Sequence, residues 1–282
     1  MDVPYEIDDD DFWREFRQLV KGVNPEAYII GEIWEEAQRW LQGDQFDAVM
    51  NYPFTQACLG FFVGDNLLRS EVAHCSYKQI DTLNAQTFAD EIDKILNLYP
   101  QSVTKVQFNL LGSHDTPRFK TLARVDTPAY RLATLFQMTY PGAPSIYYGD
   151  EIGIEGCHDP GCRGGFPWGE SKWDKELKDY VQRCITLRKV KPALRQGKFT
   201  WLFLKHNLVA YSRQLGSEML LVILNNSHQP VNLDLSVANY LEDDVLLRDV
   251  WDDSKAKVTD GCIEDIFVSA RSRIVLEVMR VN

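Results

Sequence analysis

The chain has 282 residues, a formal net charge of −11, 45% hydrophobic residues and 25% charged ones. That composition belongs to an ordinary globular protein rather than a disordered, collagenous or membrane-spanning one, and the length predicts a large domain with a smaller companion. The acidic balance excludes a phosphate-tracking surface for nucleic acid and adhesion to an anionic membrane, and it favours a neutral small substrate.

In chain order, MDVPYEIDDDDFW lacks the basic start and apolar centre of a secretory signal, which predicts a cytoplasmic protein. Residues 8–21, DDDDFWREFRQLVK, open with acidic residues suited to a helix N-terminus. They place Phe12, Phe16, Leu19 and Val20 at helical spacing, so an amphipathic helix is expected up to Gly22. Asp8 to Asp11 read as a solvated helix start and not as a metal site. AYIIGEIW reads as a short buried strand, Ala27 to Ile30, that ends at Gly31 and Glu32. The same rhythm then repeats, with helix-like EEAQRWLQ (35–42) before strand-like FDAVMNY (46–52), and helical FADEIDKILNLY (88–99) before the strand KVQFNLLG (105–112). Helical AYRLATLFQM (129–138) precedes the strand PSIYYGDEIG (144–153), whose Tyr147 and Tyr148 are expected in the core, and KELKDYVQRCITLRKV (175–190) is a final helix.

Near Pro192 the pattern changes to short β-rich segments: FTWLFLKH, LVAYSRQ, EMLLVILNNS, VNLDLS and SRIVLEVMRV (272–281). Strands alternating with helices predict parallel βαβ units, and polar residues at the strand ends predict a site on the C-terminal face of that sheet. A small antiparallel β domain of about 85 residues follows. The boundary is expected near 195, giving residues 1–195 and 196–282.

Six cysteines, at 58, 75, 157, 162, 184 and 262, form no CxxC pair and have no histidines at metal-ligand spacing. Cys157 and Cys162 are near enough to cross-link, although a cytoplasmic chain is expected to keep them reduced. No metal and no cofactor are expected.

The candidate chemistry lies in carboxylates. Glu32 and Asp115 each follow an apolar strand, the position from which barrel enzymes draw catalytic groups. Two converging carboxyls, one held neutral as proton donor and one ionised as nucleophile, are the machinery of glycoside hydrolysis. His114 beside Asp115 strengthens that reading. Arg118 is expected to steady Asp115 through an ion pair, while Trp168 and Trp173 could pack or meet ligand equally well.

At this point the sequence resembles a family. GEIWE (31–35) is similar to the α-amylase superfamily region that carries the general acid/base, and LLGSHDTPRF to the region with its transition-state-stabilising Asp. MDVPYEID resembles the tail of the nucleophile region, G-x-R-x-D-x-x-x-E, and YYGDEIGIEGCHDPGCRGGFPW the loop after the last barrel strand in the neopullulanase and cyclomaltodextrinase branch. The resemblance implies Asp2 as nucleophile, Glu32 as general acid/base and Asp115 as the third carboxylate, which grips sugar hydroxyls. It implies that His114 bonds the same sugar, that Asp159 and Arg163 contact the next glucose toward the non-reducing end, and that Trp34 faces a ring on the leaving-group side.

The implied fold is the C-terminal half of a (β/α)8 barrel, strands 5 to 8, followed by a small all-β sandwich. The implied activity is that of a retaining glycoside hydrolase acting on α-glucans, maltooligosaccharides or cyclodextrins at α-1,4 and in some cases α-1,6 bonds. The alternatives are a glucanotransferase of the same family, or a non-catalytic carbohydrate-binding module derived from it. The arginine two positions before the nucleophile has no counterpart in this sequence, and Asp2 is expected on a frayed terminus. Four βα units where a closed barrel needs eight leave open strand edges. These predict self-association and weak or absent hydrolysis by the chain alone.

Overall fold

The computed structural model describes residues 1–77 and 79–279. Helix α1 (Asp10–Val23) is capped by Asp9, whose carboxylate accepts from the backbone N–H groups of Asp11 and Phe12. Asp8 and Asp10 pair with Arg39, and Trp13 is buried against Phe46. The acidic run is therefore a helix start, as its position predicts.

Four short strands form the barrel segment: β1 (Ile30–Gly31), β2 (Ala48–Val49), β3 (Phe108–Leu110) and β4 (Ala143–Ser145). β1 and β2 pair in parallel, as do β3 and β4, and among the described residues a single parallel bridge between Met50 and Phe108 joins the two pairs. Amide side chains stitch this seam. The Asn51 N–H donates to the Phe108 carbonyl at 2.9 Å, and Asn51 Nδ2 donates to Asn109 Oδ1 at 2.8 Å, both residues being buried.

The helices that cover the strands follow in order: α2 (Tyr52–Cys58), α3 (Arg69–Val72), α4 (Ala85–Asn97), α5 (Gln101–Thr104), α6 (Phe119–Leu122), α7 (Thr127–Thr139), α8 (Lys175–Val190) and α9 (Pro192–Gln196). α2 continues into a π-helical turn at Leu59–Val63 that is buried throughout. The rings of Phe61, Phe62, Phe88 and Phe136 pack together there at centroid separations of 4.4 to 5.9 Å, burying large apolar area in favourable edge and offset geometries.

Five expected elements shrink, FDAVMNY pairing only at Ala48–Val49 and KVQFNLLG only at Phe108–Leu110. EEAQRWLQ is helical only as a 3-10 turn at Gln38–Leu41, whose start has no side-chain cap. The strand expected at Ala27 to Ile30 pairs only at Ile30–Gly31, and the one expected over 144–153 is limited to Ala143–Ser145. Tyr147 and Tyr148 consequently lie beyond a strand end rather than in the core, and Tyr148 is 38% exposed.

After α9 the chain forms β5 (Lys198–Lys205), β6 (Leu208–Leu215), β7 (Glu218–Asn225), β8 (Val231–Ser236), β9 (Leu246–Asp249), β10 (Lys255–Lys257), β11 (Cys262–Val268) and β12 (Ser272–Val278). The expected last strand ran to 281, and its positions 280 and 281 lie outside the described residues. Six of the strands make an antiparallel sheet in the order β10-β9-β12-β7-β6-β5, and β11 with β8 makes a second, two-stranded one.

Successive residues of β6 and β7 point to opposite faces of the large sheet. Val209, Tyr211, Leu220, Val222 and Leu224 join the core shared with the helices, whereas Leu208, Ala210, Leu221 and Ile223 pack against Leu233, Leu235 and Ile263 of the second sheet. Burial on both faces explains the unbroken apolar run in EMLLVILNNS. The sheet is also tied to the helices by Arg271 to Asp126 at 2.6 Å, by Asn226 to the Phe61 carbonyl at 2.6 Å and by Trp201 to Asp93 at 3.0 Å.

Candidate active site

The site assembles at the C-terminal ends of the parallel strands. Met1 to Val3 are anchored beside β1 instead of fraying. The terminal amine donates to the Ile30 carbonyl at 2.7 Å, the Glu32 N–H to the Met1 carbonyl at 2.8 Å, and the Val3 N–H to Glu32 Oε2 at 3.1 Å. These bonds place Asp2, with an exposed side chain, directly over Glu32, which is 2% exposed.

From the other side comes the turn after β3. Here the Ser113 N–H donates to Thr116 Oγ1 at 2.9 Å and the Asp115 N–H to Ser113 Oγ at 3.2 Å, a local hydrogen-bonded turn that projects His114 and Asp115 from the strand end. His114 Nε2 lies 3.3 Å from Asp2 Oδ1, 3.4 Å from Glu32 Oε1 and 3.3 Å from Asp115 Oδ2. One imidazole nitrogen thus brings together all three carboxylates singled out in the sequence.

The two carboxyls at the centre are driven in opposite directions. Burial, reinforced by the hydrogen bond with Asp2, raises the Glu32 pKa from 4.5 to about 7. Asp2 is held below its ordinary value, chiefly by accepting the hydrogen bond from Glu32, with His114 adding to the effect. At mildly acidic pH the site therefore holds a protonated carboxyl, able to donate, beside an ionised carboxylate.

The nearest oxygens of Asp2 and Glu32 and His114 Nε2 lie within 4.8 Å of one another, close enough for a cation. A pocket that keeps Glu32 protonated toward neutrality suits a proton better, since metal ligands must be deprotonated.

Tyr52, buried at the start of α2, was missed in the sequence. Its hydroxyl lies 3.4 Å from Glu32 Oε1 and 3.2 Å from Ser113 Oγ, bridging the two halves of the site. Trp34 stacks flat on it with ring centroids 3.6 Å apart, so Trp34 has one face left for any ligand. A tyrosine in the apolar run of α2 carries no local sign of this role.

Arg163 holds the rim. Its Nη2 pairs with Asp115 Oδ1 at 2.7 Å, and its Nε lies 2.8 Å from Asp159 Oδ1 and 2.9 Å from the His114 carbonyl.

Arg118 does not pair with Asp115, as expected, but with Asp150 at 2.9 Å, and it is fully buried. Its Nε donates to the Cys162 carbonyl at 2.9 Å, and its guanidinium lies 4.1 Å from the Tyr147 ring centre and 4.6 Å from that of Tyr148. Burial lifts Asp150 to about 7 even with Arg118 opposing. Gly112 makes room for this carboxylate, since a Cβ there would sit 2.8 Å from Asp150 Oδ2. The physical reason for the changed pairing is that Arg118 turns inward beneath the turn, while Arg163 reaches Asp115 from the solvent side. Cys157 and Cys162 are both free thiols, the first exposed and the second buried. Trp168 is 84% exposed, and Trp173 donates its Nε1–H to the Pro167 carbonyl.

A parallel barrel segment with three carboxylates converging at its strand ends is the frame of a barrel glycosidase. Residues 2–206 match the α-amylase catalytic domain, and residues 199–261 match the maltogenic amylase C-terminal domain. The chain belongs to the α-amylase family. It is 48% identical over 217 residues to a cyclomaltodextrinase of Bacillus sp, covering 76% of this chain and 36% of that one. It is 40% identical over 239 residues to neopullulanase 2 of Thermoactinomyces vulgaris, covering 84% and 38%. The structure of a debranching enzyme from Nostoc punctiforme superposes with a TM-score of 0.88 at 38% identity, over 98% of this chain and 56% of that one. The chain thus spans 36% and 38% of the length of the two curated relatives. Among the described residues no helix is long and apolar enough to cross a membrane.

Proposed function

We propose that the chain carries the catalytic face of a retaining α-glucoside hydrolase acting on maltooligosaccharides and cyclodextrins through α-1,4 bonds, with α-1,6 bonds as second targets. Residues 1–195 are the barrel portion and 196–282 the β domain. The observation that carries the reading is the convergence of Asp2, Glu32 and Asp115 on one histidine nitrogen, with Glu32 buried and Asp2 exposed.

Glu32 donates its proton to the leaving glycosidic oxygen while Asp2 attacks the anomeric carbon, forming a glycosyl ester on Asp2. Glu32, now ionised, then takes a proton from water, which attacks the same carbon and releases Asp2. Asp115 and His114 hold the ring hydroxyls at the reacting sugar, Arg163 and Asp159 the next glucose, and the free face of Trp34 the leaving-group ring. The relatives named cyclomaltodextrinase and neopullulanase support the substrate class.

A 5-fluoro-α-glucosyl fluoride tests the proposal by trapping the ester. A mass increase on the peptide containing Asp2, absent in Asp2→Asn, is the expected result for the enzyme containing this chain. Maltooligosaccharide binding with no trapped ester and with turnover unchanged in Glu32→Gln would leave a binding module instead.

A further inference from the structure

We propose that Glu71 is a positioning residue: by clamping His158 it fixes the loop that presents Asp159 and Arg163 to Asp115 and His114. The substrate-side consequence rests on the function proposed above, while the clamp itself rests on geometry.

Glu71 lies on α3, outside the strand ends. Its Oε2 accepts two hydrogen bonds from one residue 87 positions later, the His158 backbone N–H at 2.9 Å and His158 Nδ1 at 2.8 Å. The carboxylate is only 16% exposed, and these two bonds hold its pKa below the ordinary value. An ionised carboxylate only accepts, so the imidazole proton sits on Nδ1. His74, one turn along the chain, lays its ring on that of His158 with centroids 4.0 Å apart at 22°. The imidazole is held by its edge and by its face.

The next residue is Asp159, which pairs with Arg163, and Arg163 in turn reaches Asp115 and the His114 carbonyl. On either side the loop has anchors of its own. Gly156 is held by the Arg118 N–H at 2.9 Å and by Thr121 Oγ1 at 2.8 Å, and the Cys162 carbonyl by Arg118 Nε. Between 156 and 162, the hydrogen bonds that leave the loop among the described residues go to Glu71. Without it the peptide carrying Asp159 is tied to the body of the fold only through the exposed Asp159–Arg163 pair, and a shift of about 1 Å at a group that orients substrate is enough to lower kcat/KM severalfold.

Hydrogen exchange on the 282-residue chain tests the clamp without needing turnover. In Glu71→Ala, amide exchange over 157–164 and 113–116 should rise about tenfold, the expected result of losing hydrogen bonds to a charged group, while β6 and β7 keep their protection. Glu71→Gln, which retains an acceptor oxygen, should restore most of the protection, and Glu71→Leu, similar in bulk, should not. Unchanged protection at 113–116 and 162–164 in Glu71→Ala, or rescue by Leu equal to that by Gln, would overturn the proposal. Should Glu71→Ala fail to fold, His158→Phe keeps the backbone donor and the stacked ring while removing Nδ1. It should loosen the same two segments, and global loss of protection in that variant also counts against a positioning role.

Where the enzyme turns over maltotriose, Glu71→Ala should raise KM about tenfold with kcat little changed. A fall in kcat at constant KM would overturn the donor-side role. Absence of turnover in the wild-type enzyme containing this chain would reject the proposed function and leave the exchange result standing.

Discussion

Replacing Glu32 by Gln should stabilise the protein, and only above a definable pH. Glu32 is 2% exposed, and its carboxyl titrates near 7 in the folded state against an ordinary value of 4.5. A raised folded-state pKa contributes stability that is fully present below the unfolded value and lost as pH rises through the folded one. Below about pH 4.5 both states hold the proton, and Glu and Gln should be nearly equivalent. Between 4.5 and 7 the unfolded chain releases the proton first, so the wild type loses stability relative to Gln at about 1.4 kcal/mol per pH unit. The difference then levels off at about 3 kcal/mol. The amide keeps an oxygen for the Val3 N–H and adds donors toward Asp2 and Tyr52, so no buried group loses its partner. Urea unfolding of both proteins at pH 4, 6 and 8 measures this directly, and taking the difference cancels the titration of every other group. A gap that does not change with pH, or a Gln variant less stable at pH 8, would refute the claim that Glu32 is held protonated against its solvation preference.

Other substitutions probe separate parts of the structure. Arg118→Met should cost about 3–5 kcal/mol by leaving the Asp150 carboxyl buried without its partner, and Asp150→Asn in the same chain should recover part of it in urea titrations. Arg163→Lys keeps the charge but cannot reach Asp115, Asp159 and the His114 carbonyl together, so kcat/KM on maltooligosaccharides should fall about tenfold or more. Leu220→Ala and Leu221→Ala face different cores, so each should cost about 2–5 kcal/mol. Their effects should add to within about 0.5 kcal/mol, and strong coupling in the double variant would contradict the two-core arrangement.

Much of the architecture is written locally. The spacing of Phe12, Phe16 and Val20 behind an acidic start marks α1, and the apolar run of β7 marks a strand buried on both faces. The family motifs place Glu32, His114 and Asp115 at strand ends, where the structure brings them together with Asp2. What escapes a linear reading is partner choice. Arg118 sits three residues from Asp115 yet turns to Asp150, because the buried carboxyl beside Gly112 offers a dry, stacked site that sequence distance does not reveal. The bridge from Tyr52 to Glu32 and the bond from Glu71 to His158 join residues 20 and 87 positions apart, and neither has a periodic signature. The strands come out shorter than expected because a ladder ends where its neighbour ends, which hydrophobicity alone does not encode.

The two asparagines at the seam act as a registration key. Among the described residues only the Met50–Phe108 bridge joins β2 to β3, so backbone pairing alone would resist sliding weakly. A slip of one residue would part Asn51 Nδ2 from Asn109 Oδ1, leaving a buried donor and acceptor unmet at about 1–3 kcal/mol each. That penalty sets the strand pair leading to Glu32 in phase with the pair leading to Asp115, so the relative placement of the two carboxyls is decided at a buried seam of amide side chains.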